Sequence, residues 1–76
     1  MRIREVLSLN LKRLRKAQGL SQEELAHRAG LDRTYISALE RRIYGASIDV
    51  VDKLAQILGV DAADLLRRPS APDKPG

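Results

Sequence analysis

Residues 20–41 read LSQEELAHRAGLDRTYISALER, and this stretch decides the fold. Ser21 stands where a side chain can cap a helix, and Glu24 follows three residues later in the S-x-x-E register of a capping box. Ala26 and Ala29 keep that helix slim, and Gly30 supplies the left-handed residue that ends it. Asp32 then caps a second helix, which carries Arg33, Thr34, Ser37 and Ala38 on one side and Ile36 and Leu39 on another. Two short helices joined by so tight a turn make the pattern of a DNA-reading helix-turn-helix.

Outward from this unit, glycines at 19, 30, 45 and 59 punctuate the chain, while Pro69, Pro72 and Pro75 are confined to its end. The body, residues 1–68, is thus free of proline, and no window alternates β-branched and polar residues in the manner of a strand. The pattern predicts an all-α, compact five-helix domain over 1–68. A first helix runs from about Ile3 to Gln18, with Ile3, Leu7, Leu11 and Leu14 inward and Gly19 as its stop. The helix-turn-helix supplies the second, about Gln22–Ala29, and the third, about Arg33–Arg41. A loop over Arg42–Ala46 leads to Ser47, which caps a fourth helix, Ile48–Leu58, with Ile48, Val51, Leu54, Ala55 and Leu58 inward. After Gly59, Asp61 caps a short fifth helix, about Ala62–Arg67, that carries Leu65 and Leu66. The Pro-rich tail, 69–76, lacks the apolar surface to offset its ordering entropy and reads as disordered.

Composition bounds the function. Seventy-six residues make one domain with a small core, and chains of this size often lean on a partner subunit. Phe and Trp are absent, so a core drawn from the 43% apolar residues is aliphatic. Absence of cysteine rules out disulfides and thiolate metal sites. No apolar run approaches a membrane span of roughly 18 residues, and the basic N-terminus alternates charge with apolar residues instead of leading into a secretory core. The chain therefore reads as cytoplasmic. A net charge of +4 favours a polyanionic partner. Catalysis has little to stand on: His27 is the single histidine, and Glu23 and Glu24 are adjacent and diverge on a helix. No glycine-rich phosphate loop is present, so neither an enzyme nor a bound cofactor is expected.

The segments LSQEELAHRAGLDRTYISALERR (20–42) and SIDVVDKLAQILGV (47–60) resemble the Xre or lambda-repressor-like (Cro/CI-type) helix-turn-helix regulators of bacteria and phages. The parts agree in order: R-x-x-x-G-L-S-Q-E-E-L, A-G-L, Y-I-S-x-L-E-R and L-A-x-x-L-G-V, and the resemblance covers about residues 7–66. It implies that the third helix lies in the major groove, with Arg33 and Thr34 as first base readers and Ser37 and Ala38 one turn on. Side-chain chemistry agrees: arginine can hydrogen-bond guanine twice, threonine offers a hydroxyl or methyl, and alanine fits a thymine methyl. Gln22 opens the second helix, where the family holds a phosphate, helped by free backbone N–H groups. Tyr35, Arg41, Arg42 and Tyr44 are further phosphate candidates, and Arg15 and Glu40 match positions of a structural ion pair. Two positions depart from the family: Arg42 stands where glycine is common, and Gly45-Ala46-Ser47 replaces Asn-Pro-Ser. Both bear on how the reading helix ends.

Lys12, Arg13 and Lys16 read as a solvated face, and His27 as solvated surface. Val50 and Ile57, seven apart and off the inner stripe of the fourth helix, make with Leu65 and Leu66 an apolar patch suited to a second subunit. The leading reading is a sequence-specific regulator of double-stranded DNA, a repressor or autoregulator acting as a homodimer on a near-palindromic operator, with no small-molecule effector and no membrane partner. Phage-type repressor, restriction-modification controller and antitoxin remain open as niches. The rival readings are a protein-interaction module and a non-specific nucleoid binder.

Overall fold

Ser21 Oγ accepts the backbone N–H of Glu24 at 3.0 Å, while the Ser21 N–H donates to Glu24 Oε1 at 2.9 Å, so the reciprocal box forms. Ser47 Oγ likewise accepts the N–H of Val50 at 3.1 Å. Asp32 occupies a cap position with extended backbone, but its carboxylate makes no capping hydrogen bond. Five helices form in a computed structural model that describes residues 1–69. They are α1 (Ile3–Ala17), α2 (Gln22–Ala29), α3 (Arg33–Glu40), α4 (Ile48–Leu58) and α5 (Ala62–Leu66). Apart from Pro69, the tail expected to be disordered lies outside the described residues. No helix among those residues is long and apolar enough to cross a membrane.

The core is aliphatic, as the composition requires. Leu7 and Leu11 of α1, Leu25 of α2, Ile36 and Leu39 of α3, Leu54 and Leu58 of α4, and Leu65 of α5 form one buried cluster, with Leu20 entering from the first turn. Each fully buried leucine contributes on the order of 1.5–3 kcal/mol. α2 packs on α3, α1 on both α3 and α5, and α4 on α2 and α5. The reading helix is thereby backed by α1 and α2 and leaves its remaining face to solvent.

Two residues assigned inward by periodicity are exposed instead: Ile3 at 47% and Ile48 at 83%. Both are the first residues of their helices. Helical phase says which face a residue shares, not how far along the axis the covering elements reach, and the cover stops short of these two ends. Val6, fully buried, takes up the inner face of α1 with Leu7 and Leu11.

Asn10 was invisible to hydrophobic patterning, yet it is 2% exposed. Its Nδ2 donates to the carbonyls of Leu65 and Arg67, each at 2.9 Å, and its Oδ1 accepts from Arg13 Nη2 at 2.8 Å. These bonds satisfy the buried amide and tie the end of α5 to the middle of α1.

Candidate nucleic-acid interface

Arg33, Ser37 and Arg41 recur every four residues and so lie on one stripe of α3, with Thr34 beside them. Arg33, Thr34 and Arg41 are exposed and Ser37 is half-buried. Ala38 does not belong with them. It is only 5% exposed, and its carbonyl accepts the Ile43 N–H at 2.9 Å, so the chain leaving α3 folds over it. The expected base contact by Ala38 is corrected on that ground: so little of its methyl remains exposed, on the wall of a cleft it shares with Thr34 and Arg41, that it offers a thymine almost no surface.

The stripe is held in place from behind by a buried ion pair. Arg15 Nε lies 2.7 Å from Glu40 Oε2 and Arg15 Nη2 lies 2.9 Å from Glu40 Oε1, a two-point contact from α1 to the last residue of α3. The side chains are 9% and 3% exposed. Arg15 Nη1 also donates to the Leu20 carbonyl at 2.8 Å, and Gln22 Nε2 donates to Glu40 Oε1 at 3.0 Å. One carboxylate thus joins α1, the start of α2 and the end of α3. Burial alone would push the Glu40 pKa up. The hydrogen bonds from Arg15 and Gln22, with the charges of Arg15 and Lys12, outweigh it and hold the carboxyl below its usual value. For Arg15, the hydrogen bond to Glu40 raises an already high pKa against the opposing effect of burial. Both groups are charged throughout the physiological range.

Gln22 sits at the first position of α2, half-buried, with one amide hydrogen committed to Glu40. Its backbone N–H, at the start of the helix, has no intrahelical acceptor, and that end of a helix is where an anion is favoured.

The departure at position 42 resolves without loss of the family's geometry. Arg42 adopts φ 64°, the left-handed conformation that glycine takes most readily. Its N–H donates to the Leu39 carbonyl at 3.1 Å and the next N–H, of Ile43, to Ala38, which together form a Schellman termination. The left-handed residue is therefore retained with an arginine in place of glycine. Arg42 Nη1 also lies 3.4 Å from Glu5 Oε2, an exposed contact against which any phosphate must compete. Beyond it, Tyr44 is exposed and its ring centroid lies 6.3 Å from that of half-buried Tyr35. The two phenols, Thr34 and Arg41 border a cleft of about 300 Å³ beside the reading stripe.

The residues assigned to a subunit interface separate. Leu65 is fully buried in the core of its own chain and cannot meet a partner, so that assignment is corrected. It faces α1, whose Asn10 pins the adjoining carbonyls. Leu66 is 37% exposed. Val50 and Ile57 are half-buried against the core. Lys12, Arg13, Lys16 and His27 are all exposed.

The geometry is that of a helix-turn-helix, and the helix-turn-helix family model matches residues 11–65, most of the chain. The chain belongs to the helix-turn-helix family of DNA-binding transcriptional regulators. The regulator is 46% identical over 67 residues to a hypothetical transcription factor of Neisseria meningitidis serogroup B, covering 88% of this chain but only 63% of that relative. A crystal structure of the hypothetical transcription factor NHTF from Neisseria superposes with a TM-score of 0.87 over 90% of this chain and 78% of that one. Control protein C.SmaI of Serratia marcescens is 36% identical over 76 residues, taking in 100% of the regulator and 90% of that protein. The master regulator for biofilm formation SinR, known from Bacillus subtilis, has a crystal structure in complex with DNA that matches with 34% identity and a TM-score of 0.77. That match covers 80% of the regulator and 98% of the SinR chain. This is a family of regulators rather than enzymes, and the five-helix, all-α fold is theirs.

Proposed function

We propose that the regulator is a homodimeric repressor that reads a near-palindromic operator through α3 and controls its own expression. The observation that carries this reading is the stripe of exposed Arg33 and Thr34 with half-buried Ser37, anchored from beneath by the buried Arg15–Glu40 pair. Base recognition demands side chains held in one orientation relative to the duplex. A reading helix tied to α1 and α2 by three hydrogen bonds on one carboxylate meets that demand. Arg33 contacts a guanine edge, while Thr34 and Ser37 contribute hydroxyls. Arg41, at the far end of the stripe, and Gln22, Tyr35, Arg42 and Tyr44 around it contact the phosphates on either side. The likeness to control protein C.SmaI over nearly the whole of both chains, and to the restriction-modification controller protein C.AhdI, favours a niche in restriction-modification control.

Selection of binders from a random duplex DNA pool at physiological salt tests the reading. Enrichment of a near-palindrome with half-sites about 10 bp apart is the expected result. With Arg41 and Arg42 of both protomers on phosphates, log K against log salt has a slope of about −4. Folded protein that enriches no sequence but keeps this salt dependence is a non-specific binder. Folded protein with neither enrichment nor salt dependence is a protein-interaction module, and the operator reading falls.

A further inference from the structure

Ile48, at 83%, is the most exposed large aliphatic side chain among the described residues, and it stands at the mouth of a groove of about 780 Å³. The groove runs between the first turn of α1, the loop before α4 and the end of α5. Its apolar lining includes Ile3, Leu7, Ile48 and Leu66. Of these, Ile3 is 47% and Leu66 37% exposed, so a contiguous apolar surface is left in water. Isolated exposed aliphatics are ordinary, but a cluster of them around a concavity marks a surface that another molecule covers.

We infer that the occupant is a second copy of this chain, with Ile48 of each protomer seated in the groove of the other. The inference rests on the dimeric reading above and locates its interface. Charge at the rim selects the occupant. Arg4 lines one side, Asp49 and Asp52 the other, and none of the three joins an ion pair among the described residues. An isologous contact sets a patch against its own inverted copy, so a patch carrying both signs on opposite walls complements itself. A partner rich in only one sign of charge would meet a like charge on one wall.

Local structure shapes both walls. Arg4 lies across Gly45, where an added Cβ would come within 2.9 Å of Nε, so glycine leaves the guanidinium room at the rim. On the other wall, the two carbonyls flanking Leu66 are those held by Asn10, which sets the direction in which Leu66 projects. Ile48 and Asp52 are one turn apart on the α4 flank toward α1 and α5. Val50 and Ile57 fall roughly half a turn away around the same helix, on its far flank. One twofold contact cannot use both flanks, and the exposed side chains and the concavity lie on the Ile48 side.

Sedimentation equilibrium of the full chain, with circular dichroism as a control for folding, tests the assignment. Ile48→Glu puts a charge into each groove and is expected to weaken dimerisation at least roughly 100-fold while leaving the fold intact. Lys53→Glu, on the far flank, leaves it within about 3-fold. Arg4→Asp weakens the dimer about 10-fold, and adding Asp49→Arg and Asp52→Arg restores it, as a pair made across protomers requires. A wild-type dimer indifferent to Ile48→Glu, or weakened by Lys53→Glu, or a charge swap that restores nothing, overturns the groove while the dimeric reading stands. A wild-type chain that stays monomeric at millimolar concentration overturns both.

Discussion

Glu40→Ala is the substitution through which the scaffold of the reading helix is tested most directly. Glu40 accepts three hydrogen bonds, from Arg15 Nε at 2.7 Å, Arg15 Nη2 at 2.9 Å and Gln22 Nε2 at 3.0 Å. Alanine removes all three acceptors at once. Gln22 is half-buried and can turn to water, but Arg15 keeps only the Leu20 carbonyl and remains a largely buried cation. Breaking a buried pair from one side costs about 3–5 kcal/mol. The 9% exposure of the Arg15 side chain lets some water in and places this case near 3 kcal/mol. Total stability for a chain this long is roughly 4–11 kcal/mol, so the loss is between about a quarter and three quarters of it. Replacing both partners, Arg15→Met with Glu40→Leu, leaves no orphaned charge and falls within about 1 kcal/mol of the parent. Urea unfolding followed by far-ultraviolet circular dichroism reads these differences from the midpoint at constant slope. A cost below about 1 kcal/mol for Glu40→Ala would refute the reasoning, since that is what an exposed pair contributes. Acid supplies an independent check. Because the folded protein holds the Glu40 carboxyl below its usual value, the stabilisation is complete above about pH 4.5 and is lost as pH falls through the folded value. Glu40→Ala lacks this loss, so the stability curves of parent and variant converge on the acid side.

Three other perturbations probe separate parts of the molecule. Arg33→Ala is expected to cost about 1–3 kcal/mol at the cognate operator and to relax selection at one base position, read by binding to single-base operator variants; equal weakening on random DNA would make Arg33 a phosphate contact. At φ 64°, Arg42→Gly should keep or raise stability by up to about 1 kcal/mol while Arg42→Val lowers it by about 1–2 kcal/mol, and thermal melts that rank the two the other way would remove the left-handed assignment. Asn10→Ala strips the carbonyls of Leu65 and Arg67 of their donor and is expected to cost about 1–3 kcal/mol by urea unfolding, with amide exchange in α5 accelerating first; uniform exchange would show that the amide does not pin that helix.

Local chemistry made much of this protein legible in one dimension. Ser21 with Glu24, and Ser47 before Val50, act at helix starts because a capping bond spans only three residues and needs no knowledge of the rest of the fold. The buried faces of α2 and of the middle of α4 follow from 3.6-residue periodicity for the same reason. The polar members of the reading stripe, Arg33, Thr34 and Ser37, are also local, since helical spacing alone sets them apart from the Ile36 and Leu39 side of α3. Asp32 marks the limit of such reading: it holds the cap position, but its carboxylate is not used.

What tertiary structure decided depends on residues distant in sequence. Ala38 and Leu65 are apolar residues whose burial turns on what crosses them: the chain leaving α3 in one case, α1 in the other. Ile3 and Ile48 fit an inward stripe yet are exposed, because periodicity fixes an angle around a helix axis and says nothing of where along it the neighbouring elements end. Arg42 takes a glycine's conformation because the carbonyls of Ala38 and Leu39 need donors from the next two N–H groups, whatever side chain lies between. Asn10 reaches across 55 residues to the Leu65 carbonyl, a contact no local pattern contains. Sequence by itself determined where the helices lie, the serine caps of α2 and α4 and the chemistry displayed on α3; packing among them determined which side chains remain at the surface to meet DNA or a second subunit, because burial belongs to the assembled helices and not to any one of them.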